Sequence, residues 1–291
     1  MIPRSLGTHD GTFHADDVTA CALLIVFGQI DRDKVVRTRD SAELNQCEYV
    51  CDVGGVYDPT TKRFDHHQSD YQGKFSSAGM ILSYLLDRGL IDDPTYRYLN
   101  NGLIIGVDDI DNGRNFPQVG HCSFSQVVSN FVPTQYDVSE TEQRKAFEEA
   151  LTFVLGHVTR LLERFHYIQG CRAKVAVSMQ SNSEALLFDE TLPWMDSFFD
   201  LGGEKHPALF VVMPAGVHWK LRGIPPDNEH KMAVRLPLPA AWAGLLEEEL
   251  KKATGIQGAI FCHKGRFISV WETKEDALKA LEKVLALRGC P

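Results

Sequence analysis

The sequence predicts an α/β protein: a mostly parallel sheet flanked by helices, followed by a smaller α+β domain. Three observations predict it. Residues 1–168 alternate short apolar strands with amphipathic helices, the pattern of a parallel sheet covered on both faces. After residue 168 the texture changes to strands paired across short turns. The chain has 291 residues, 44% apolar and 24% charged, which is long for one core and comfortable for two. That composition excludes disordered, collagen-like and low-complexity architectures. The expected domains are 1–168, including a long connecting helix, and 169–291.

The elements follow in order. Ser5–Thr8 reads as a short strand before a polar loop. Asp16–Ile30 is helical, with Ala20, Leu23, Leu24 and Phe27 at spacings of three and four. Lys34–Thr38 and Glu48–Val53 read as strands, the second ended by Gly54-Gly55. Asp58-Pro59 is a turn and Lys62–Asp65 a further strand. Ser76–Asp87 and Thr95–Ile110 read as helices. Glu140–Ile168 carries an apolar stripe through Phe147, Leu151, Val154, Val158, Leu162 and Phe165, and Gln169-Gly170 is expected to stop it. Beyond it, Lys174–Ser178, Ala208–Met213 and Val217–Arg222 read as strands. Ala241–Lys252 reads as a helix. Ala259–His263 and Arg266–Trp271 read as a hairpin, and Thr273–Leu287 as a final helix capped by Thr273.

Charge is unevenly placed. The net charge is −9, and residues 1–168 hold 15 basic against 24 acidic residues. Residues 169–291 hold 15 of each. A strongly basic nucleic-acid-binding chain is thereby excluded. An acidic region still handles phosphates where its carboxylates hold divalent cations, because the ions invert the local potential. Seven scattered cysteines, at 21, 47, 51, 122, 171, 262 and 290, with no Cys-x-x-Cys, predict reduced thiols. No apolar run reaches the roughly 18 residues of a membrane span, and Met1-Ile2-Pro3-Arg4 opens no signal peptide, so a cytoplasmic location without membrane contact is expected.

Histidine and aspartate crowd four stretches of the first part. They are His9–Asp17, Cys51–Gly55, Asp65-His66-His67 and Asp108–Gly113. Taken singly, each has a bland reading: a buried histidine, a strand terminator, a chance His-His pair, an Asp-Asn-Gly turn. Together they fall at successive element ends, where ligands bind in parallel α/β sheets. Carboxylates converging at one sheet edge repel unless cations join them. Imidazole with carboxylate and no thiolate suits Mn²⁺, Mg²⁺, Co²⁺ or Zn²⁺. The chain has no Gly-x-Ser-x-Gly elbow and no Walker loop, so phosphate chemistry on metals needs no covalent protein nucleophile.

The sequence resembles a known family at these residues. Asp65-His66-His67, with Asp52 before it and Asp111-Asn112-Gly113 after it, resembles the DHH phosphoesterase superfamily. The run Gly7–Asp16 and the stretch Asp52-Val53-Gly54-Gly55-x-Tyr57-Asp58-Pro59 resemble its melanocyte-proliferating-gene branch, also called metal-dependent protein hydrolases. Arg235-Leu236-Pro237-Leu238-Pro239-x-x-Trp242 and Gly255-Ile256-x-Gly258-x-Ile260-Phe261-x-His263 extend the likeness over nearly the whole chain.

The resemblance implies two divalent ions, Mn²⁺ or Mg²⁺ before Zn²⁺ or Co²⁺. One would be held by His9 and His14 and the other by Asp16, His66 and Asp111, with Asp52 bridging both. Asp108 is the alternative ligand. His67 would touch the substrate phosphate, and Asp65 would stand behind the histidines as a tautomer-fixing acceptor. The implied activity is 3′→5′ exonuclease action on RNA or short oligonucleotides, with a homodimer allowed. The rivals are a pyrophosphatase or small-phosphoester phosphatase, and a metal-stabilised RNA-binding protein without turnover. One departure stands out. Superfamily second domains often carry Gly-Gly-His before the last helix, where this chain reads Ser269-Val270-Trp271. Trp271 either stacks on a base or packs. Arg235, His263, Lys264 and Arg266 are the remaining cationic candidates for substrate, on a second domain expected to face the metals across a cleft.

Overall fold

A computed structural model describes residues 1–116, 118–135 and 137–288. Cys290 lies outside the described residues, and the other six cysteines are free thiols. The chain divides into two compact units, Met1–Phe165 and His166–Pro291.

The first unit begins with β1 (Ile2–Thr8), α1 (Ala15–Val26), β2 (Val35–Arg37), α2 (Ser41–Leu44) and β3 (Cys47–Cys51). A short hairpin, β4 (Tyr57–Asp58) and β5 (Arg63–Phe64), follows. The sheet order is β2-β1-β3-β5-β4. Every pairing is parallel except β4 with β5. The register Leu6↔Tyr49 and Val50↔Arg63 brings the carboxyl ends of β1, β3 and β5 out at one edge. Leu6, Cys51 and Phe64 are fully buried beneath helices whose Leu23, Leu24, Met80, Ile81 and Leu82 are also fully buried. Each such side chain contributes about 1.5–3 kcal/mol by leaving water.

The helices are α3 (Ser77–Asp87), α4 (Asp93–Leu99), α5 (Ile105–Asp111), α6 (Phe124–Ser129) and α7 (Glu140–Met179). The single helix expected over Thr95–Ile110 is α4 and α5 joined by a π-helical turn, Asn100–Ile104. It starts earlier than expected because Asp92 accepts the Thr95 amide at 3.0 Å as an N-cap.

Two expectations fail at α7. Gly170 does not stop the helix, and Lys174–Ser178 is not a strand; both lie in one helix of 40 residues. The reason is the seam. Phe165, Ile168, Cys171 and Val175 are buried at spacings of three and four, so burial continues straight through the glycine. An interior glycine costs about 1 kcal/mol, less than the contacts beyond it return.

The second unit adds β6 (Ala185–Leu187), α8 (Met195–Asp200), β7 (Phe210–Ala215), β8 (His218–Gly223), α9 (Glu247–Thr254), β9 (Ala259–Cys262), β10 (Ile268–Trp271) and α10 (Lys274–Leu287). Its sheet order is β6-β7-β8-β10-β9, with β6 parallel to β7 and the rest antiparallel. The helix expected over Ala241–Lys252 is a 3₁₀ turn, Ala240–Trp242, and then α9. Gly244, at φ +77°, breaks the run between them. Thr273 caps α10, accepting from the Asp276 amide at 3.2 Å. No helix among the described residues is long and apolar enough to cross a membrane.

Candidate metal centre

Three parallel strand ends meet at one edge of the first sheet. His9 follows β1, Asp52 follows β3, and Asp65-His66-His67 follow β5. The first turn of α1 adds Asp16 and Asp17, and the last residue of α5 adds Asp111. Asp17 sits there for a local reason: its Oδ1 accepts the amides of His14 and Val18 at 2.8 and 2.9 Å, closing the helix N-terminus. Asp52 stands at φ +59°, a left-handed conformation that costs a non-glycine residue on the order of 1–3 kcal/mol.

The predicted ligands converge. The donor atoms of His9, His14 and Asp52 lie within 4.8 Å of one another, as do those of His14, Asp16 and Asp111. Asp52, His66 and His67 form a third such group and Asp16, Asp17 and Asp52 a fourth. The groups share members, so the ligands form one continuous cage, not two separated sets. Asp17 is the residue that sequence reasoning missed. The signal was present in the Asp16-Asp17 pair at the end of the first His/Asp stretch, but only Asp16 was given a ligand role.

The electrostatics of the cage are unresolved by protein atoms alone. His9 Nδ1 lies 2.8 Å from the carbonyl of Asp10, so it must donate. The lone pair of Nε2 then faces Asp52 Oδ2 at 3.2 Å and Asp17 Oδ2 at 3.6 Å, acceptor against acceptor. His66 repeats the conflict. Its Nδ1 lies 3.3 Å from Asn112 Oδ1, an acceptor because the Asn112 amide nitrogen donates to the Asp108 carbonyl. Its Nε2 lies 3.1 Å from Asp111 Oδ2 and 3.3 Å from Asp52 Oδ1. Neither oxygen of Asp16, nor Asp17 Oδ2, nor His66 Nε2 has a hydrogen-bond partner, although all are buried. Only a proton or a cation relieves such contacts.

The proton affinities register this. Burial opposes charge on His66, but Asp111 and Asp52 outweigh it and lift the imidazole to about 10. His9 is raised likewise, Asp52 and Asp17 overcoming its burial. Burial raises Asp17 to about 7, and burial with the neighbouring Asp52 and Asp111 charges pushes Asp16 well above the carboxylate range. Asp52 goes the other way: burial would raise it, but His66 and His9 hold it down. The donor set, nitrogen and oxygen without sulfur, fits a borderline or hard divalent ion.

His67 is different in kind. Its Nδ1 donates to Asp65 Oδ1 at 2.8 Å, and its side chain is 62% exposed. Asp65 Oδ2 accepts the amide of Gly55 at 2.6 Å, where φ is +67°. Beside the cage lies an open cleft of about 630 Å³, lined by His9, Asp10, His14, Arg39, Gly54 and His67 among others.

Other expected site residues stand elsewhere. Asp108 belongs to none of the ligand groups: its Oδ1 accepts from Ser76 N, Ser76 Oγ and Gly79 N at 3.0, 2.7 and 3.1 Å, capping α3. A Cβ at Gly79 would stand 2.1 Å from the Asp108 carboxylate, so the glycine makes room for the cap. In the second unit, Arg235 is a structural cation, not a free one. Its guanidinium donates to the carbonyls of Gly203, His206, Ala208 and Pro225 and lies over Phe198. Trp271 is fully buried, packs on Trp242 and donates to Ser269 Oγ at 2.9 Å, so it offers no stacking face. His263 is folded into its own turn, its Nδ1 accepting from Gly265 N and its ring against Phe267. Lys264 is exposed in that turn, and Arg266 leaves it at φ +56°.

Two cations went unnoticed in the sequence. Lys220 and Arg222 alternate with buried Leu221 along β8, half-buried, and neither has an ion-pair partner among the described residues. Arg222 lies over the Phe267 ring at 5.9 Å. The signal was the polar alternation in His218-Trp219-Lys220-Leu221-Arg222.

A His/Asp cage at the carboxyl edge of a parallel sheet, with an open cleft beside it, defines a candidate metallohydrolase-type centre in a two-unit α/β protein. The chain belongs to the MYG1_exonuc family, "Uncharacterised protein family (UPF0160)", whose model matches residues 5–285. It is 54% identical over 285 residues to the "MYG1 protein" of Chlamydia trachomatis serovar D, covering 98% of each chain. It is 32% identical over 337 aligned residues to the "MYG1 exonuclease" of Rattus norvegicus, covering 100% of this chain and 87% of the relative. A RecJ structure with Mn²⁺ from Thermus thermophilus aligns over 97% of this chain and 52% of its own, at 12% identity and a TM-score of 0.28, too distant to bear on the assignment.

Proposed function

We propose that the chain is a divalent-metal-dependent phosphodiesterase, an exonuclease acting on RNA or short oligonucleotides. The observation that carries the reading is the pair of histidines whose Nε2 atoms point at carboxylates inside a cage of unpartnered buried oxygens. His9, His14, Asp16, Asp17, Asp52, His66 and Asp111 would hold the ions, with Asp52 shared. When bound, a pair of such ions supplies Lewis acidity, activating water near neutral pH and neutralising phosphodiester oxygens. The chain's own residues do the rest. Asp65 fixes the His67 ring through Nδ1 and leaves Nε2 unpaired at the cleft; as an imidazolium, carrying a second proton on Nε2, His67 would donate to a phosphate oxygen or pass that proton to the leaving group. Burial of the cage keeps bulk water away from the carboxylates and so strengthens their charge. Lys220 and Arg222 give the second unit unpaired cations for a polyanion. The name "MYG1 exonuclease" carried by the mammalian relatives supports the exonuclease reading.

The test is a metal-dependent activity screen. The protein, stripped with chelator and reloaded with Mn²⁺, Mg²⁺, Zn²⁺ or Co²⁺, is offered RNA, single-stranded DNA, dinucleotides and pyrophosphate. Stepwise release of mononucleotides from RNA is expected, and 3′- or 5′-end labelling reads the polarity. Turnover of pyrophosphate alone would move the reading to a small-phosphoester hydrolase. No turnover with any metal would overturn it.

A further inference from the structure

We propose that Arg39 is a substrate-phosphate contact and that Asp10 is its intramolecular competitor; this rests on the phosphodiesterase reading above. Two arginines leave the end of β2 two residues apart and have separate fates. Arg37 turns inward. Its Nη2 donates to the carbonyl of Gly11 at 2.7 Å and its guanidinium lies 4.6 Å from the Phe147 ring centre, so it is committed to holding the loop after β1. Arg39 lines the open cleft and is the one permanently cationic side chain there among the described residues. Its Nε donates to Asp10 Oδ1 at 3.1 Å, and its two Nη groups have no partner among the described residues.

That ion pair is built to be exchanged. Its side chains are 64% and 57% exposed, where an ion pair is weak and is screened by salt. A phosphate accepts two parallel N–H bonds from one guanidinium, whereas Asp10 engages only one nitrogen. A phosphate entering the cleft therefore outcompetes the carboxylate without reordering the loop, which Arg37 still anchors. Asp10 in turn repels an anion that has not displaced it. The pair raises the threshold for anion entry and, once broken, supplies a bidentate clamp on a phosphate oxygen.

The experiment uses the Mn²⁺-loaded full chain and two readouts: calorimetric binding of AMP, and KM and kcat on a single-stranded hexanucleotide. Arg39→Ala is expected to weaken AMP binding and raise KM by about tenfold, with kcat changed less than about twofold. Arg39→Lys recovers only part of this, since an ammonium cannot form the fork. Asp10→Asn is expected to do the opposite, tightening AMP binding by about threefold. That gain should vanish in the Arg39→Ala background. A pair that merely braces the loop predicts instead that both single variants weaken AMP binding, and that both loosen Mn²⁺. That pattern, or wild-type AMP binding in Arg39→Ala, overturns the inference. A wild-type protein that cleaves no phosphodiester contradicts the phosphodiesterase reading, while the AMP isotherms still decide the role of Arg39.

Discussion

Two polar clusters in this molecule, one buried and one half-buried, invite comparison. In the first unit, Asp16, Asp17 and His66 are buried with polar atoms that meet no partner, and two imidazoles confront carboxylates. In the second unit, the Arg235 guanidinium meets four carbonyls and an aromatic face. The second is a finished structural element, since each donor has an acceptor. The first is unfinished, and buried groups left unsatisfied cost more than satisfied ones return. Unpaired buried polarity, more than polarity itself, separates a site from a scaffold.

Asp52→Asn separates the two clusters most sharply. If Asp52 is shared between ions, the amide should lower kcat by at least about a thousandfold, with the circular dichroism spectrum unchanged. Near-wild-type turnover at saturating metal would place Asp52 with the scaffold. Arg235→Met tests the other side. It strands four carbonyls, so it should cost about 2–4 kcal/mol in chemical denaturation while leaving kcat of the folded fraction intact.

The pH dependence of the chelated protein comes next. The folded-state pKa of Asp17 is raised from 3.8 to about 7, so the folded state holds this proton more tightly than the unfolded chain. Its contribution to stability is full below about pH 3.8 and is lost as pH rises through about 7. His66, raised from 6.5 to about 10, adds a loss of the same sign above pH 6.5. Asp52, held low, acts oppositely and loses its contribution only as pH falls below 3.8. The melting temperature of metal-free protein should therefore fall between about pH 4 and 7. Asp17→Asn, which keeps the Oδ1 acceptor, should raise it by roughly 5 °C at pH 8 and hardly at pH 4. Added Mn²⁺ should erase most of the slope. A flat profile in wild type would mean that the carboxylates do not repel.

The smallest effects concern the second unit. Lys220→Ala with Arg222→Ala should weaken oligonucleotide binding about fivefold at low salt and less at high salt. Lys264→Ala with Arg266→Ala should change it by under about twofold, as expected of a solvated turn. The reverse ranking would restore the turn as the substrate contact.

The sequence made the cage legible because its members sit at strand ends, and strand ends are readable from apolar runs and the glycines that follow. His9, Asp52 and His66 each sit one or two residues past such a run. What escaped was the direction of side chains. Asp108 and Asp111 share a helix at a spacing of three, yet Asp108 turns to the amides of α3, a partner distant in sequence. Arg235 and Trp271 carried the right chemistry for a substrate but were claimed by carbonyls and core that only the tertiary fold supplies. Helix α7 ran past Gly170 because burial outweighs propensity where a seam continues.

The cage of His9, His14, Asp16, Asp17, Asp52, His66 and Asp111 is proposed to hold divalent ions. Crystals soaked in Mn²⁺ after chelation, measured at the manganese absorption edge, test it most directly. Up to two anomalous peaks are expected, each within about 2.0–2.6 Å of an Asp52 oxygen and flanked by His9 or His66. An empty cage beside well-ordered histidines, or peaks only on surface carboxylates, would contradict it.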